Sequence, residues 1–247
     1  MPRAEFDAPG LIRVSGVTKS YGRLVALADV SFSIRPGEVL GLIGPNGAGK
    51  TTLFECLAGV LSRDSGVVTL DGRPLTARDL HAHLFYVPDG IAPWPAESVR
   101  WALEYVTGFF GGSTDRIEDV TRQLDLAAVL DGSIGTLSKG QRKRVALAVG
   151  MLTPQRVLLV DEPFDGLDLR QGRDAAAALR AHAATGRTLV LSIHQIADAA
   201  RVCDRFVLLS GGRVKGEGGT AELAALAASR GQAPASHDLE EVFLALT

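Results

Sequence analysis

The stretch Gly44-Pro45-Asn46-Gly47-Ala48-Gly49-Lys50-Thr51 decides the fold of this 247-residue chain, because it matches the pattern G-x-x-x-x-G-K-[ST] in full. The continuous apolar run 39–43 precedes it, as expected of a central parallel strand, and a helical pattern follows from Lys50 onward. Glycines let the backbone curl so that its N–H groups point at phosphate oxygens, and the following helix adds the positive end of its dipole. The stretch therefore predicts a phosphate cradle between a strand and a helix.

Two side chains of this cradle are expected to act directly on a nucleotide. Lys50 would reach the β- and γ-phosphates, and the Thr51 hydroxyl would bind Mg²⁺. The candidate nucleotide-binding residues of the cradle are Gly44, Pro45, Asn46, Gly47, Ala48, Gly49, Lys50, Thr51 and Thr52.

A second motif, Val157-Leu158-Leu159-Val160-Asp161-Glu162-Pro163, predicts a buried strand with two acids at its C-terminal end. Ligands of open α/β sheets bind at that edge. Asp161 is expected to hold Mg²⁺ through its water shell, and Glu162 to polarise the attacking water as a general base. Alone, the motif is equally typical of a solvated acidic turn; beside a complete cradle it predicts nucleotide hydrolysis.

The rest of the chain alternates strand-like and helix-like segments, which favours an α/β fold with a largely parallel sheet. Further strand candidates are 30–34, 67–70, 188–193 and 205–209. Between about residues 96 and 151 the pattern is helical instead, and two more helices are expected at 220–228 and 239–246. We interpret the middle of the chain as a helical insertion in an α/β core.

Composition and charge limit the possible functions. The hydrophobic share of 46% suits a chain with a real core, and the net charge of −2 gives no reason to expect nucleic acid as a partner. Two cysteines, Cys56 and Cys203, make a disulfide framework improbable and fit a reducing compartment. Residues 1–10 lack a signal-peptide pattern, and no stretch approaches the length of an apolar membrane helix. Any work at a membrane is therefore expected to go through a partner.

A third motif, Leu137-Ser138-Lys139-Gly140-Gln141, precedes a helical run and lies shortly before Asp161. With the two motifs above, it resembles the ABC ATPase family, whose signature is LSGGQ. Tyr21 matches the family's adenine-stacking aromatic, the segment 164–168 matches the loop after the catalytic glutamate, and His194 matches its switch histidine. The resemblance extends from about residue 14 to residue 218.

The resemblance implies a fold and an assembly. It implies a P-loop NTPase (RecA-like) core with an N-terminal antiparallel β subdomain, at about 1–88 and 154–215. A helical signature subdomain would span about 89–153, and a helical tail about 216–247. In the family, two chains pair head to tail around two ATP molecules, so Ser138, Gly140 and Gln141 would face the partner's ATP. The implied cofactors are ATP and Mg²⁺, with Glu162, His194 and Lys50 as catalytic residues.

Several positions leave two interpretations open. Asp89 stands where the family has a Mg²⁺-contacting glutamine, so it is either a Mg²⁺ ligand or a solvated turn residue. Lys139 replaces a signature glycine and either adds charge at the ATP or points to solvent. Trp94 is either a docking residue for a membrane subunit or a loop-packing residue. The basic run 142–144 is interpreted as a solvated helix face, and His81 and His83 lack the companions of a zinc site.

The sequence fits three other functions less well than that of a transporter ATPase. A GTPase would need an Asn-Lys-x-Asp loop, but Asn46 is the single asparagine of the chain, and a small-molecule kinase would not need the signature motif. A soluble, non-transport ABC protein usually carries two cassettes or long insertions. The LSKGQ-like signature and the ending 239–244 resemble the ATPases of ABC-2-type exporters, with an ABC importer as the alternative. The expected partners are a second copy in the ATP-bound state and a separately encoded permease, on the cytoplasmic face of a bacterial membrane.

Overall fold

The computed structural model describes residues 11–232 and 238–247, so the expectation that residues 1–10 carry no signal peptide lies outside it. In chain order, the strands are β1 Ile12–Tyr21, β2 Leu24–Ile34, β3 Val39–Ile43, β4 Ser65–Leu70, β5 Arg73–Pro74, β6 Leu84–Val87, β7 Val157–Asp161, β8 Thr188–Ile193, β9 Arg205–Ser210 and β10 Arg213–Gly218. The helices are α1 Lys50–Leu57, α2 Ala77–His83, α3 Val99–Phe109, α4 Asp115–Gln123, α5 Lys139–Leu152, α6 Leu169–Ala183, α7 Ile196–Val202, α8 Thr220–Ser229 and α9 Leu239–Leu246. No helix in these two ranges has both the length and the apolar character needed to span a bilayer.

The larger sheet has six strands in the order β10-β9-β3-β8-β7-β6. Five of them run parallel, and β10 is antiparallel to β9 at one edge. The register pairs Ile43 with Ile193 and Asp161 with Ser192, so β3, β7 and β8 end side by side. The loops that follow these three strands therefore meet at one edge of the sheet, where open α/β sheets bind their ligands.

Both faces of this sheet are covered, which is why β3 and β7 are buried throughout and β7 is apolar up to its last residue, Asp161. Alternate side chains of each strand enter opposite cores: Leu158 packs with the helices α3 to α9, whereas Leu159 packs with α1 and the smaller sheet. The smaller sheet is antiparallel, with the order β2-β1-β4-β5. The arrangement confirms the predicted α/β class, including an antiparallel N-terminal sheet and a helical region between β6 and β7.

A basic group lies inside the helical core, at the C-terminal end of α5. Arg187 has no exposed surface and donates to the carbonyl oxygen of Gly150 at 2.9 Å and to Thr153 Oγ1 at 2.8 Å. Arg116 donates to the carbonyl of Met151 at 2.9 Å. These guanidinium groups donate to carbonyls in the last turn of α5, where the N–H groups of a following turn are missing. Burial and the charge of Arg187 lower the pKa of the neighbouring His182 to about 3.

Candidate functional site

The predicted cradle folds around its own lysine. Lys50 is buried, and its Nζ donates to the carbonyl oxygens of Gly44 at 2.8 Å and Pro45 at 3.3 Å. Gly49 has a φ of +102°, and a Cβ there would lie 2.6 Å from the carbonyl oxygen of Ala26. Only glycine fits that position, which is the turn that starts α1. The loop thus presents backbone N–H groups and an ammonium at the N-terminus of a helix, an arrangement suited to phosphate.

The expected catalytic residues Lys50, Glu162 and His194 lie together. Glu162 Oε1 is 3.4 Å from Lys50 Nζ, and its Oε2 is 2.6 Å from His194 Nδ1. Glu162 has a φ of +48°, a region that side chains rarely adopt. Its backbone N–H donates to the carbonyl oxygen of Ser192, which helps to hold this conformation. The carboxylate is therefore aimed between a cation and an imidazole, as a positioned base requires.

Asp161 is the centre of a hydrogen-bond network at the end of β7. Thr51 Oγ1 donates to its Oδ2 at 2.7 Å, Tyr86 OH donates to the same oxygen at 3.3 Å, and the Ser192 hydroxyl donates to Oδ1. Burial and the negative charge of Asp161 raise the pKa of Tyr86, so its hydroxyl stays a donor. A carboxylate and a hydroxyl in contact are oxygen ligands of the kind that Mg²⁺ prefers.

Sequence reasoning missed Tyr86 and Ser192 as members of this network. Ser192 had a signal in the sequence that could have found it, since it is a lone hydroxyl in the apolar run 189–193, and a hydroxyl in a buried strand needs a hydrogen-bond partner. Tyr86 gave no such signal, because its ring also packs against Phe54 and a packing role alone explains it.

Most of the predicted nucleotide-binding residues line one cleft of about 600 Å³. Its lining is Tyr21, Leu24, Val25, Ala26, Asn46, Gly47, Ala48, Gly49, Lys50, Thr51, Thr52, Asp89, Asp161, Glu162, Gly211 and Gly212. Tyr21 is 47% exposed at the rim, beside the exposed Leu24 and Val25. The cleft thus combines an apolar rim with a polar floor, which suits a base at one end and phosphates at the other.

The signature residues do not line this cleft. Ser138 is the N-cap of α5: its Oγ accepts from the Gln141 N–H at 3.2 Å, and Gln141 Oε1 accepts from the Ser138 N–H at 2.9 Å. Gly140 packs so closely on the loop after β7 that a Cβ would lie 2.9 Å from the Gly166 carbonyl oxygen. The capped N-terminus of α5 is exposed at Ser138.

Asp89 does line the cleft, and it is also paired. Its Oδ1 lies 2.5 Å from Lys143 Nζ, so it is not a freely solvated turn residue.

The interpretation of residues 142–144 as a solvated face is wrong, because Lys143 and Arg144 are 6% and 7% exposed. Arg144 donates to the carbonyl oxygens of Leu124 and Asp125 at 2.9 and 2.7 Å. The sequence shows a run of basic residues, but it does not show the carbonyl oxygens that accept from Arg144 or the carboxylate that pairs with Lys143.

Lys139 remains exposed, as one of its two interpretations expected, but it is paired as well. Its Nζ lies 2.6 Å from Asp165 Oδ2, a link between the signature loop and the loop after β7. This contact raises the pKa of Lys139 and lowers that of Asp165. As an exposed pair it contributes little to stability.

An aromatic face lies on α3 and on the loop that joins β6 to α3. The aromatic face consists of Trp94, Trp101, Tyr105 and Phe109. The last three follow helical spacing, and the rings of Trp101 and Tyr105 stack at 5.0 Å. All four are exposed, Phe109 by 71%. A contiguous exposed aromatic surface of this kind is typical of a protein interaction site.

In the described part of the chain, no cluster of metal-ligating side chains surrounds His81 or His83.

Comparisons with known proteins agree with this geometry. Residues 27–165 match the family model described as ABC transporter. The chain is 34% identical over 216 residues to the Nod factor export ATP-binding protein I of Rhizobium etli, covering 84% of this chain and 67% of that protein. It is 36% identical over 214 residues to the protein of that name from Mesorhizobium japonicum, covering 83% and 62%. The chain thus spans about two thirds of the length of these relatives.

Solved structures give the same result. An ATP-binding subunit of an ABC transporter superposes with a TM-score of 0.83 at 28% identity, covering 96% of this chain and 99% of that one. A nucleotide-free ATP-binding cassette from an ABC transporter shares the fold, with a TM-score of 0.76 at 23% identity over 89% and 95% of the two chains. The resemblance inferred from the motifs is therefore confirmed, and the chain belongs to the ABC transporter family as one of its ATP-binding and ATP-hydrolysing members.

Proposed function

We propose that this chain is the ATPase of a bacterial ABC-2-type exporter and works as a homodimer that closes on ATP. The curated relatives with about 35% identity carry export in their names, which favours export over import. One observation carries the mechanism: Tyr21, the cradle residues 46–52, Asp161 and Glu162 line one cleft, whereas no signature residue lines it and the capped end of α5 is exposed at Ser138.

In the ATP-bound chain, Lys50 would exchange the Gly44 and Pro45 carbonyls for the β- and γ-phosphates, which are stronger acceptors. Thr51 and Asp161 would hold Mg²⁺, with Asp89 beside them in the same cleft. Mg²⁺, when bound, supplies positive charge that offsets the charge developing on the phosphates.

Glu162 would take a proton from the attacking water, and His194 would keep the carboxylate in place through the contact between Nδ1 and Oε2. Phosphate would compete with the Glu162 carboxylate for Lys50, whose Nζ lies 3.4 Å from Glu162 Oε1. Glu162 would thereby be released for catalysis when the cleft fills.

The second chain would complete the site. Ser138, Gly140 and Gln141 open α5 with its positive dipole end exposed, and in a head-to-tail dimer this end would meet the γ-phosphate bound by the partner. Loss of the γ-phosphate would weaken the contact and open the dimer. Residues at about 89–153 would move as one helical subdomain during this cycle, relative to the core at about 1–88 and 154–215 and the tail at about 216–247.

The aromatic face would dock on a separately encoded membrane permease and so place the chain at the cytoplasmic face of the membrane. Its four rings offer apolar area with few degrees of freedom to lose, as is typical of interface anchors. Phe109, the most exposed of them, is the position where a charge would harm docking most.

The dimer is tested with Glu162→Gln, which keeps ATP uncleaved. Size-exclusion chromatography should show a dimer with MgATP and a monomer with MgADP. Adding Ser138→Arg should abolish the dimer while ATP still binds. Ser229→Arg, an exposed serine at the end of α8, is the matched control and should leave the dimer intact. A Ser138→Arg variant that dimerises like the control would exclude the head-to-tail arrangement.

The partner and direction are tested with the membrane protein encoded beside this gene. A permease with no accompanying substrate-binding protein supports export, and a binding protein in the same gene cluster supports import. The solubilised permease should co-purify with the wild-type chain and not with Phe109→Asp, whose ATP binding should remain intact.

A further inference from the structure

The ring of Tyr21 has a cation on one of its faces. Lys19 and Tyr21 are two residues apart on β1, so their side chains leave the strand on the same side. The Lys19 Nζ lies 5.9 Å from the centroid of the Tyr21 ring, within the range of a cation–π contact. Tyr21 is 47% exposed at the rim of the nucleotide cleft, so a base can reach the face that Lys19 leaves open.

Asp64 fixes both this cation and the strand that carries it. Its Oδ1 lies 3.0 Å from Lys19 Nζ, and its Oδ2 accepts from the Ser20 N–H at 2.7 Å. The backbone N–H of Asp64 donates to the carbonyl oxygen of Thr18 at 2.9 Å. The Lys19 ammonium and the Ser20 N–H hold the pKa of Asp64 below its usual range. The Lys19 side chain is only 12% exposed, so its ammonium has little freedom to leave the carboxylate.

The hairpin that carries Tyr21 packs directly on the phosphate cradle. The register between β1 and β2 shifts after Lys19, where Ala26 is an extra residue on β2. The carbonyl oxygen of this bulged residue lies so close to the cradle that a Cβ on Gly49 would be 2.6 Å from it. A ring held firmly on this hairpin is therefore also held at a set position relative to the cradle.

A half-exposed ring that is free to turn loses that freedom when a base stacks on it, and the loss weakens binding. We propose that Lys19 and Asp64 are positioning residues that hold the Tyr21 ring as a preformed platform for the base of the nucleotide. The pair restricts the ring before the base arrives, and the base then stacks on the open face. The inference rests on the proposed assignment of the cleft to ATP, but the role of the pair is its own claim.

Two ligands separate the contribution of the base from that of the phosphates. MgADP and magnesium pyrophosphate both carry two phosphates, but pyrophosphate lacks the base and the ribose. Equilibrium dialysis with labelled MgADP gives one Kd, and competition by pyrophosphate gives the other. Lys19→Met should raise the Kd for MgADP about 3–10-fold, as the loss of a partly exposed cation–π contact implies, and leave the Kd for pyrophosphate within about 1.5-fold of wild type.

Two further measurements follow from the same reasoning. Lys19→Arg keeps a cation beside both the carboxylate and the ring, so its Kd for MgADP should stay within about twofold of wild type. In ATP hydrolysis, Lys19→Met should raise KM by the same factor as the Kd for MgADP and leave kcat within about twofold of wild type, because the pair positions the base rather than the reacting phosphate.

A double-mutant cycle separates positioning from general damage to the protein. Tyr21→Ala should raise the Kd for MgADP about 5–100-fold, the range for the loss of one base–aromatic stack. In the Tyr21→Ala background, Lys19→Met should change that Kd by less than about 1.5-fold, because no ring is left to hold. Arg100→Met is the matched control: Arg100 Nε pairs with Asp131 Oδ1 at 2.8 Å outside the lining of the cleft, and the variant should bind MgADP as the wild type does.

An unchanged Kd of Lys19→Met for MgADP would overturn the proposal, and so would an equal rise in the Kd values for MgADP and pyrophosphate. So would a full effect of Lys19→Met in the Tyr21→Ala background, or a Tyr21→Ala protein that binds MgADP as the wild type does. If Lys19→Met does not fold, Asp64→Asn removes the negative charge at constant shape and is judged by the same criteria. Failure of the folded wild type to bind MgADP at all would instead refute the proposed function.

Discussion

Replacing Glu162 by glutamine tests the proposed chemistry most directly, because the change removes a charge and a proton acceptor but little volume. Glutamine can retain a hydrogen bond to His194 Nδ1, where the carboxylate now lies at 2.6 Å. We expect kcat to fall by about 10²–10⁴-fold, the usual contribution of a general base. That loss corresponds to about 3–5 kcal/mol in the activation barrier.

The same change should not weaken ATP binding. Glu162 Oε1 lies 3.4 Å from Lys50 Nζ, with both side chains largely buried. At an effective dielectric constant of about 20, the Coulomb attraction at this distance is about 5 kcal/mol before desolvation. Phosphate must compete with this attraction for Lys50, and glutamine removes the competitor. The Kd of Glu162→Gln for MgATP is therefore expected to equal or fall below that of the wild type.

The assay is phosphate release under saturating MgATP, with Kd measured separately by equilibrium dialysis. Glu118→Gln, an exposed glutamate on α4, is the control and should hydrolyse ATP at the wild-type rate. A Glu162→Gln protein that hydrolyses ATP within threefold of wild type would remove Glu162 from the mechanism. A large increase in Kd would show that Glu162 supports binding rather than competing with it.

Three further results are expected. Lys50→Ala should abolish tight MgATP binding in equilibrium dialysis, and unchanged affinity would refute the cradle assignment. Tyr86→Phe and Ser192→Ala each remove one hydrogen-bond donor to Asp161, which costs about 1 kcal/mol. Each variant should therefore need about fivefold more Mg²⁺ for half-maximal hydrolysis, and unchanged Mg²⁺ curves would contradict this. The pKa of His182 is lowered from 6.5 to about 3 in the folded chain, so the unfolded chain binds its proton first and stability falls as pH drops through that window. In urea unfolding from pH 7 to pH 4, the free energy of unfolding of His182→Gln should fall less steeply than that of the wild type, by up to about 1.4 kcal/mol per pH unit. Parallel pH curves for the two proteins would refute this.

Local patterns predicted those elements of the fold whose residues share one environment. The strands at 39–43 and 188–193 are buried on both faces, so their composition identifies them with correct ends. β10 was missed because its sequence, Arg213 to Gly218, is polar and rich in glycine, and it is held mainly by pairing with β9 at the sheet edge. Such a strand forms because its backbone pairs with a neighbouring strand, and the side-chain pattern of the edge strand does not show that pairing.

In the candidate site, too, local motifs predicted some residues, and other residues depend on tertiary contacts that the sequence does not show. The motifs predicted that Lys50, Thr51, Asp161 and Glu162 lie together, and the four residues line one cleft, because the motifs encode backbone geometry as well as chemistry. The partner of Asp89 was not found, since Lys143 lies 54 residues further along the chain and sits in a run of basic residues that looks like a solvated face. One face of α5 is buried by tertiary packing against the loop after β6. Basic residues that the local sequence would place in solvent are therefore buried.

The guanidinium of Arg187 has a consequence for how this sequence can change over time. It holds the Gly150 carbonyl and Thr153 at the far end of the helix that opens with the signature residues. A lysine could not span the same set of acceptors, because it lacks the planar fork of donors. A survey of all single substitutions should therefore find position 187 as intolerant as the positions proposed to contact the nucleotide. Its failures should appear as low protein abundance that cooler growth partly restores, whereas substitutions at Lys50 should leave abundance normal and activity absent at every temperature.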